Sequence, residues 1–264
     1  MEAHSFNALF DVSANNYDSV RPGYPAALFE DIKSQCGIKG SSRLLEIGAG
    51  SGIATVELAK FGCPVVAIEP GSRLAAIARE RTKEFNTVEI FEGTFEHFQT
   101  RDTFDVVLAF TAFHWLNKDS KYERTLDLLN DSGSLVLVWN SFFQSDSPVT
   151  IEVNSAYRES LADIYPEELT VAGINEGIRS KLNRREQEVI TSPLFRVAFS
   201  KQYSIACNFD GQTYPRLLNT FPKIAAIEEA RRFEFLSRIS EIVERHGGIS
   251  VPVLTTLIIC QRRK

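Results

Sequence analysis

The stretch LLEIGAGSG, Leu44 to Gly52, constrains the fold of this chain more than any other segment. A short, largely apolar run breaks into glycines at 48, 50 and 52, and Ile53, Val56 and Ala59 then follow at near-helical spacing. A strand that ends in a glycine turn and feeds a helix suits a polar or charged ligand. Backbone N–H groups of the turn and of the helix start face outward, and residues without a Cβ let a ligand approach the chain. A purely structural turn is the competing reading of the same glycines.

The pattern repeats downstream. CPVVAIEP, Cys63 to Pro70, is a continuous apolar run, as expected of a strand covered on both faces. Ser72 to Phe85 reads as a helix with Leu74, Ile77 and Ala78 on one side. TVEIFEG reads as a strand, FEHF (95–98) as a short helix, and Thr103 to Phe110 as another buried strand. KDSKYERTLDLLN (118–130) has Tyr122, Leu126 and Leu129 on one helical face, and SGSLVLVWN turns into a strand through Trp139. This alternation over residues 43–140 implies an α/β fold with a doubly wound, mainly parallel sheet. Beyond it, Pro148 to Ile164 and Gly173 to Ile190 read as helices and Phe195 to Phe209 as a strand. A long helix closes at Gly247 and Gly248, and VPVLTTLIICQR forms the last strand. Residues 1–264 read as a single domain, with a helical lead-in over 1–40 and a helical insertion over 141–193 that caps the sheet edge.

Composition, 44% hydrophobic and 24% charged, is that of a soluble globular chain. Lys and Arg number 29 against 34 Asp and Glu, a net charge of −5, which argues against a nucleic-acid partner. The aliphatic stretch VPVLTTLIIC is far short of the ~20 residues of a membrane helix, so no membrane partner is expected. Cys36, Cys63, Cys207 and Cys260 form no CxxC pair and read as buried thiols of a reducing compartment. With no basic-then-apolar leader at the N-terminus, the expected location is cytoplasmic. No metal-ligand cluster is visible, and no metal is expected.

The residues around the turn narrow the ligand. No GK[ST] follows, as a P-loop requires, and Ile53 stands where a dinucleotide fingerprint wants its third glycine. Glu69 ends the second strand, 21 positions after Gly48. In a parallel sheet that sets a carboxylate beside the turn, where it can accept both hydroxyls of a ribose.

At these residues the chain resembles the class I S-adenosylmethionine (SAM)-dependent methyltransferases. LLEIGAGSG is similar to their first motif, VVAIEP to the second, FDVVLAFTAFHWL to the fourth-strand motif, and LLNDSGSLVLVW to the helix, turn and fifth strand. YDSVRPGYP (17–25) resembles the lead-in of small-molecule members. YPRLLNTF, with the closing helix and strand, is similar to the trans-aconitate methyltransferase branch. The resemblance implies a Rossmann-like seven-stranded sheet with helical additions and SAM as cofactor. The amino-acid head of SAM would lie over Gly48, Ala49 and Gly50, next to Glu46. Glu69 would bind the ribose, Pro70 would touch the adenine, and EGTFEHF would supply the adenine edge. There Thr94 stands where members often carry an aspartate, and Phe95 adds an apolar wall. Tyr17 and Arg21 would cover the cofactor, with Arg21 meeting a carboxylate of SAM or substrate; a solvated Arg21 at a helix start is the alternative.

Methyl transfer requires alignment and exclusion of water, and a base only where the acceptor must lose a proton. Phe110, Thr111, Ala112, Phe113, His114 and Trp115 follow the fourth strand at the sheet edge where ligands sit. Phe110 is counted with the cofactor-binding residues. The [ND]PP[FY] motif of exocyclic-amine DNA methyltransferases is absent there. His114 is the catalytic candidate, as base or as donor to the acceptor, with packing beside Trp115 as the alternative. His4, His97 and His246 read as surface or local groups. NSFF and FPKI read as core, or as walls of an acceptor pocket. The expected activity is methyl transfer to a small-molecule acceptor, a carboxylic acid first, by a monomer or homodimer. An O- or N-methyltransferase of a larger metabolite and a non-catalytic SAM-binding protein are the alternatives.

Overall fold

In the computed structural model, which describes residues 20–165 and 170–263, strands and helices alternate as far as the third strand, and β4 follows β3 without a helix between them. The order is α1 (Ala26–Gln35), β1 (Leu44–Ile47), α2 (Ile53–Ala59), β2 (Val65–Glu69), α3 (Ser72–Thr82), β3 (Val88–Glu92) and β4 (Phe104–Phe110). A 3-10 turn (Phe113–Trp115) leads to α4 (Lys121–Leu128) and β5 (Leu129–Phe142). Then come α5 (Pro148–Leu161), α6 (Val171–Ile190), β6 (Phe195–Phe209), short α7 (Thr213–Leu218) and α8 (Pro222–Ala225), α9 (Glu229–Arg245) and β7 (Ile249–Arg262). The strands form one sheet in the order β3-β2-β1-β4-β5-β7-β6. β1 to β5 are parallel, and β7 runs antiparallel between β5 and β6. This is the expected Rossmann-like, doubly wound, mainly parallel seven-stranded sheet.

The continuous apolar runs are explained by two cores, one on each face. Side chains alternate along a strand, so Leu44, Val106, Leu108, Val136, Val138, Leu257 and Ile259 enter one cluster with α1 and α2. Leu45, Val107, Ala109, Leu135, Leu137, Ile258 and Cys260 enter the other. Each Val, Leu or Ile side chain among them contributes ~1.5–3 kcal/mol on burial. Phe104 breaks the alternation and joins the second cluster, because the register shifts between Phe104 and Val106. A third cluster joins α5, α7, α8 and α9 to the start of β7.

Several boundaries move from those read in the sequence. FEHF is a turn, not a helix: the His97 and Phe98 N–H groups both donate to Thr94 O, and the chain goes no further. The helix expected over 118–130 stops at Leu128, because Leu129 already pairs with Phe104. β5 runs on to Phe142, so the segment 141–193 begins in a strand before α5 and α6. The helix expected to reach Ile164 ends at Leu161. α5 packs on α9 and α6 on β6. Lys121 on α4 and Glu188 on α6 form an ion pair of 2.5 Å, with the Lys121 side chain only 2% exposed. No described helix is long and apolar enough to cross a membrane.

Candidate active site

Chain order reverses between β1 and β4. β2 and β3 spread to one side of that pair and β5 to the other, so a crevice opens at the carboxyl ends of β1 and β4. It holds a cavity of about 690 Å³, within the ~300–1,000 Å³ of small-molecule sites.

The glycine turn forms its floor. Gly48, Gly50 and Gly52 have φ of 72°, 58° and 82°, a conformation that glycine adopts at little cost. A Cβ on Gly48 would lie 2.5 Å from the Ala112 Cβ, so the turn after β1 touches the segment after β4. A Cβ on Gly52 would lie 3.1 Å from the Ala78 Cα, which lets α3 sit close to the start of α2.

One expectation about this turn is corrected. The Gly48 and Ala49 N–H groups do not face a ligand. Both donate to Ile68 O, at 2.8 and 2.9 Å, and the Gly50 N–H donates to Glu69 Oε2 at 2.7 Å. The end of β2 thus takes up the donors of the turn, because buried backbone groups are paired wherever a partner lies in reach. These three groups form no anion cradle; the turn offers a wall without side chains.

Two carboxylates flank that wall. Glu69 is held by its own neighbours, with Gly50 N–H on Oε2 and Gly71 N–H on Oε1 at 2.8 Å. Glu46 is 1% exposed and accepts the Thr55 hydroxyl at 2.7 Å on Oε2, while Oε1 is buried without a hydrogen-bond partner. Burial, and secondarily the nearby charge of Glu69, push its pKa up to about 8 against the opposing effect of Thr55. Glu46 and Ala49 line a smaller pocket that shares Arg21, Gly48, Gly50, Phe110, Thr111, Asn140 and Phe142 with the main cavity.

The turn at 94–98 closes the β3 side. The Thr94 hydroxyl and His97 Nδ1 lie 2.8 Å apart. Arg124 on α4 donates to Phe95 O at 2.7 Å and to Phe98 O, and so holds the turn from behind.

The β4–β5 side carries the remaining polar groups. Thr111 has a φ of 56°, a left-handed strain of ~1–3 kcal/mol for a non-glycine residue. Its N–H donates to Val138 O at 2.7 Å, and its hydroxyl accepts the Asn140 N–H at 3.3 Å. Asn140 also donates to Gly23 O at 3.3 Å and accepts the Thr255 hydroxyl at 2.6 Å, which ties the lead-in to the sheet. Arg21 donates to the Thr220 hydroxyl and carbonyl at 3.0 and 3.2 Å and lies over Phe221 and Phe142.

His114 packs against Trp115, with ring centroids 4.7 Å apart, and its Nδ1 accepts Trp139 Nε1–H at 3.4 Å. Indole is only a donor, so the neutral imidazole carries its proton on Nε2. Burial, then the positive charges of Arg185 and Lys121, push the His114 pKa down to about 3. A group so hard to protonate is a poor general base at neutral pH, and its usable function is the Nε2–H donor.

Of the residues singled out in the sequence, Arg21, Gly48, Gly50, Glu69, Pro70, Thr94, Phe95, Phe110 and His114 line the main cavity. Glu46 and Ala49 line the smaller pocket beside it. Tyr17 lies outside the described residues. His97, read as a local group, lines the cavity as well as bonding Thr94, and the NSFF and FPKI aromatics meet there, with Phe142 and Phe221 5.5 Å apart edge to face. Leu74, Asn140 and Arg185 are cavity residues that the sequence did not reveal. Arg185 sits in RSKLNRREQE, a run that resembles any solvated helix face.

Comparison with known proteins agrees with this geometry. Residues 45–137 match a family model described as a methyltransferase domain. An uncharacterized methyltransferase of Bacillus mycoides is 34% identical over 152 residues, which are 54% of this chain and 70% of that protein. A proposed type II methyltransferase of Anaeromyxobacter dehalogenans shares the fold with a TM-score of 0.62 at 21% identity, over 92% of this chain and 97% of that one. A SAM-dependent methyltransferase of Geobacter sulfurreducens, solved with S-adenosylhomocysteine, gives a TM-score of 0.54 at 13% identity, over 97% and 98% of the two chains. Sequence match and sheet order together lead to one conclusion: this chain belongs to the methyltransferase family.

Proposed function

We propose that this protein transfers a methyl group from SAM to a small-molecule acceptor, in the first place a carboxylic acid. The observation that carries this reading is that the Gly48–Gly50 wall, Glu69 and a neutral His114 line one cavity. The residues present fit SAM. Gly48 and Gly50 line the cavity without side chains, Glu46 Oε1 is a buried acceptor without a partner beside it, and Glu69 presents a fixed carboxylate for ribose hydroxyls. Pro70, Leu74 and Phe95 supply apolar walls for the adenine.

When bound, SAM supplies a methyl carbon made electrophilic by its sulfonium. The acceptor end offers His114 as an oriented N–H donor and Arg21 and Arg185 as cations. With His114 unsuited to take a proton, this end suits an acceptor that arrives already ionised, and a carboxylate does so at neutral pH. α6 and α8, through Arg185 and Pro222, wall the cavity and limit the access of water. In this reading the segment 141–193 caps the acceptor site of one methyltransferase domain.

The test is release of S-adenosylhomocysteine from SAM across small carboxylic acids, phenols, catechols and amines. Release with acids alone is the expected result. Release with amines or phenols instead would replace the carboxylate, and silence from protein that binds SAM would favour a larger acceptor or a non-catalytic role.

A further inference from the structure

Arg185 lines the acceptor end of the cavity, half-buried, with its guanidinium 5.7 Å from the Trp139 ring centre. It makes no hydrogen bond or ion pair with any described residue. Burial lowers its pKa against the opposing charge of Glu188, as expected of a cation in a poorly solvated place. Its natural partner would be Glu188, three residues on along α6. That carboxylate is instead bound at 2.5 Å by Lys121, whose ammonium is itself fixed over the rings of Phe113 and Tyr122. The other carboxylates on the wall are engaged elsewhere: Glu69 holds the Gly50 and Gly71 N–H groups, and Glu96 accepts the Asn117 N–H at 3.5 Å. Arg21 is fastened to Thr220 and adds a second positive charge to the same wall.

Arg185 thus adds to this wall a guanidinium that forms no ion pair with a described carboxylate. A guanidinium presents donors in a planar fork that matches the two oxygens of a carboxylate. We propose that Arg185 is the specificity-determining residue of the acceptor site: it receives a carboxylate of the acceptor, and the Lys121–Glu188 pair, whose lysine is buried, keeps it available by occupying its intrahelical partner. The word acceptor rests on the methyl-transfer reading above; the anion site itself does not.

The test is calorimetry on the full chain saturated with S-adenosylhomocysteine, titrated with succinate, citrate and benzoate and with the matching amides. Wild type is expected to bind at least one acid about 10- to 100-fold more tightly than its amide, the worth of a charge-assisted pair. Arg185→Gln should abolish that preference and Arg185→Lys should keep part of it, with SAM affinity unchanged within about twofold. Lys121→Met should weaken acid binding by releasing Glu188, and Glu188→Gln in the same chain should restore it. No preference in wild type, or a preference that survives Arg185→Gln, overturns the proposal. So does a parallel loss of SAM affinity, which would put Arg185 on the cofactor. Failure of the double variant to restore binding overturns the part given to Lys121. Release of S-adenosylhomocysteine decides the other reading separately. An Arg185-dependent preference without release keeps the anion site and removes the carboxylate as methyl acceptor; release with acids and amides alike removes the role of Arg185 and keeps methyl transfer.

Discussion

Glu69 Oε2 accepts the Gly50 N–H at 2.7 Å, so the carboxylate that ends β2 is fastened to the turn that ends β1. The second oxygen accepts Gly71 N–H, and the plane of the carboxylate is set before any ligand arrives. Preorganisation of this kind lowers the ordering cost of binding.

Glu69→Ala is accordingly expected to weaken SAM binding by ~1–3 kcal/mol, through lost charge-assisted bonds and a loosened turn. Glu69→Gln should also weaken it, because an amide nitrogen would face a backbone N–H. Titration calorimetry reads both, and an unchanged dissociation constant for the alanine variant would place the ribose elsewhere.

Gly48→Ala meets two obstacles, the positive φ and the Ala112 Cβ at 2.5 Å. A loss of ~1–3 kcal/mol in denaturant unfolding is expected. Ala112→Gly in the same chain should recover the steric share and leave the backbone share. Equal stability of the single and double variants would show that the contact between the two turns is not felt.

His114, with its pKa near 3, stays neutral throughout the range in which most enzymes are assayed. Turnover should therefore show no fall assignable to this histidine between pH 5 and 8. His114→Ala should slow turnover with SAM affinity nearly intact. Because Arg185 helps depress the pKa, Arg185→Gln should raise it, while burial still holds it below 6.5. Histidine NMR titration measures that shift, and a pKa unmoved by Arg185→Gln would separate the two side chains.

Glu46 titrates the other way. Its folded pKa of about 8 stands above its ordinary 4.5, so the folded state binds a proton that the unfolded chain has lost between those values. Stability falls as pH rises through that window and levels off above it. Glu46→Gln should remove the slope and raise the melting temperature by several degrees at pH 8, where the charge is worst placed. A slope that persists in the ligand-free variant would assign it to another group.

Much of the fold was legible because each strand carries its own signal. Val106, Val107 and Leu108 are continuous in sequence, and the two-sided burial they imply is a property of the strand alone. The turn from Leu44 to Gly52 and the carboxylate at Glu69 were legible for a similar reason: positive φ and a strand end are local facts. FEHF misled because four residues of helical character do not make a helix once Thr94 O has taken both available N–H groups.

The sequence by itself determined the α/β alternation, the glycine turn at the end of β1 and the acid at the end of β2, since each depends on neighbours along the chain. Tertiary structure alone decided that the Gly48 and Ala49 N–H groups turn to Ile68, that Glu46 keeps its proton, and that Trp139 fixes the tautomer of His114. It also decided that Arg185 lies beside Trp139 with no hydrogen bond to a described residue while Lys121 holds Glu188. Those outcomes depend on exclusion of water and on pairings between distant segments, such as Asn140 with Gly23, and neither is written in the order of residues along one strand.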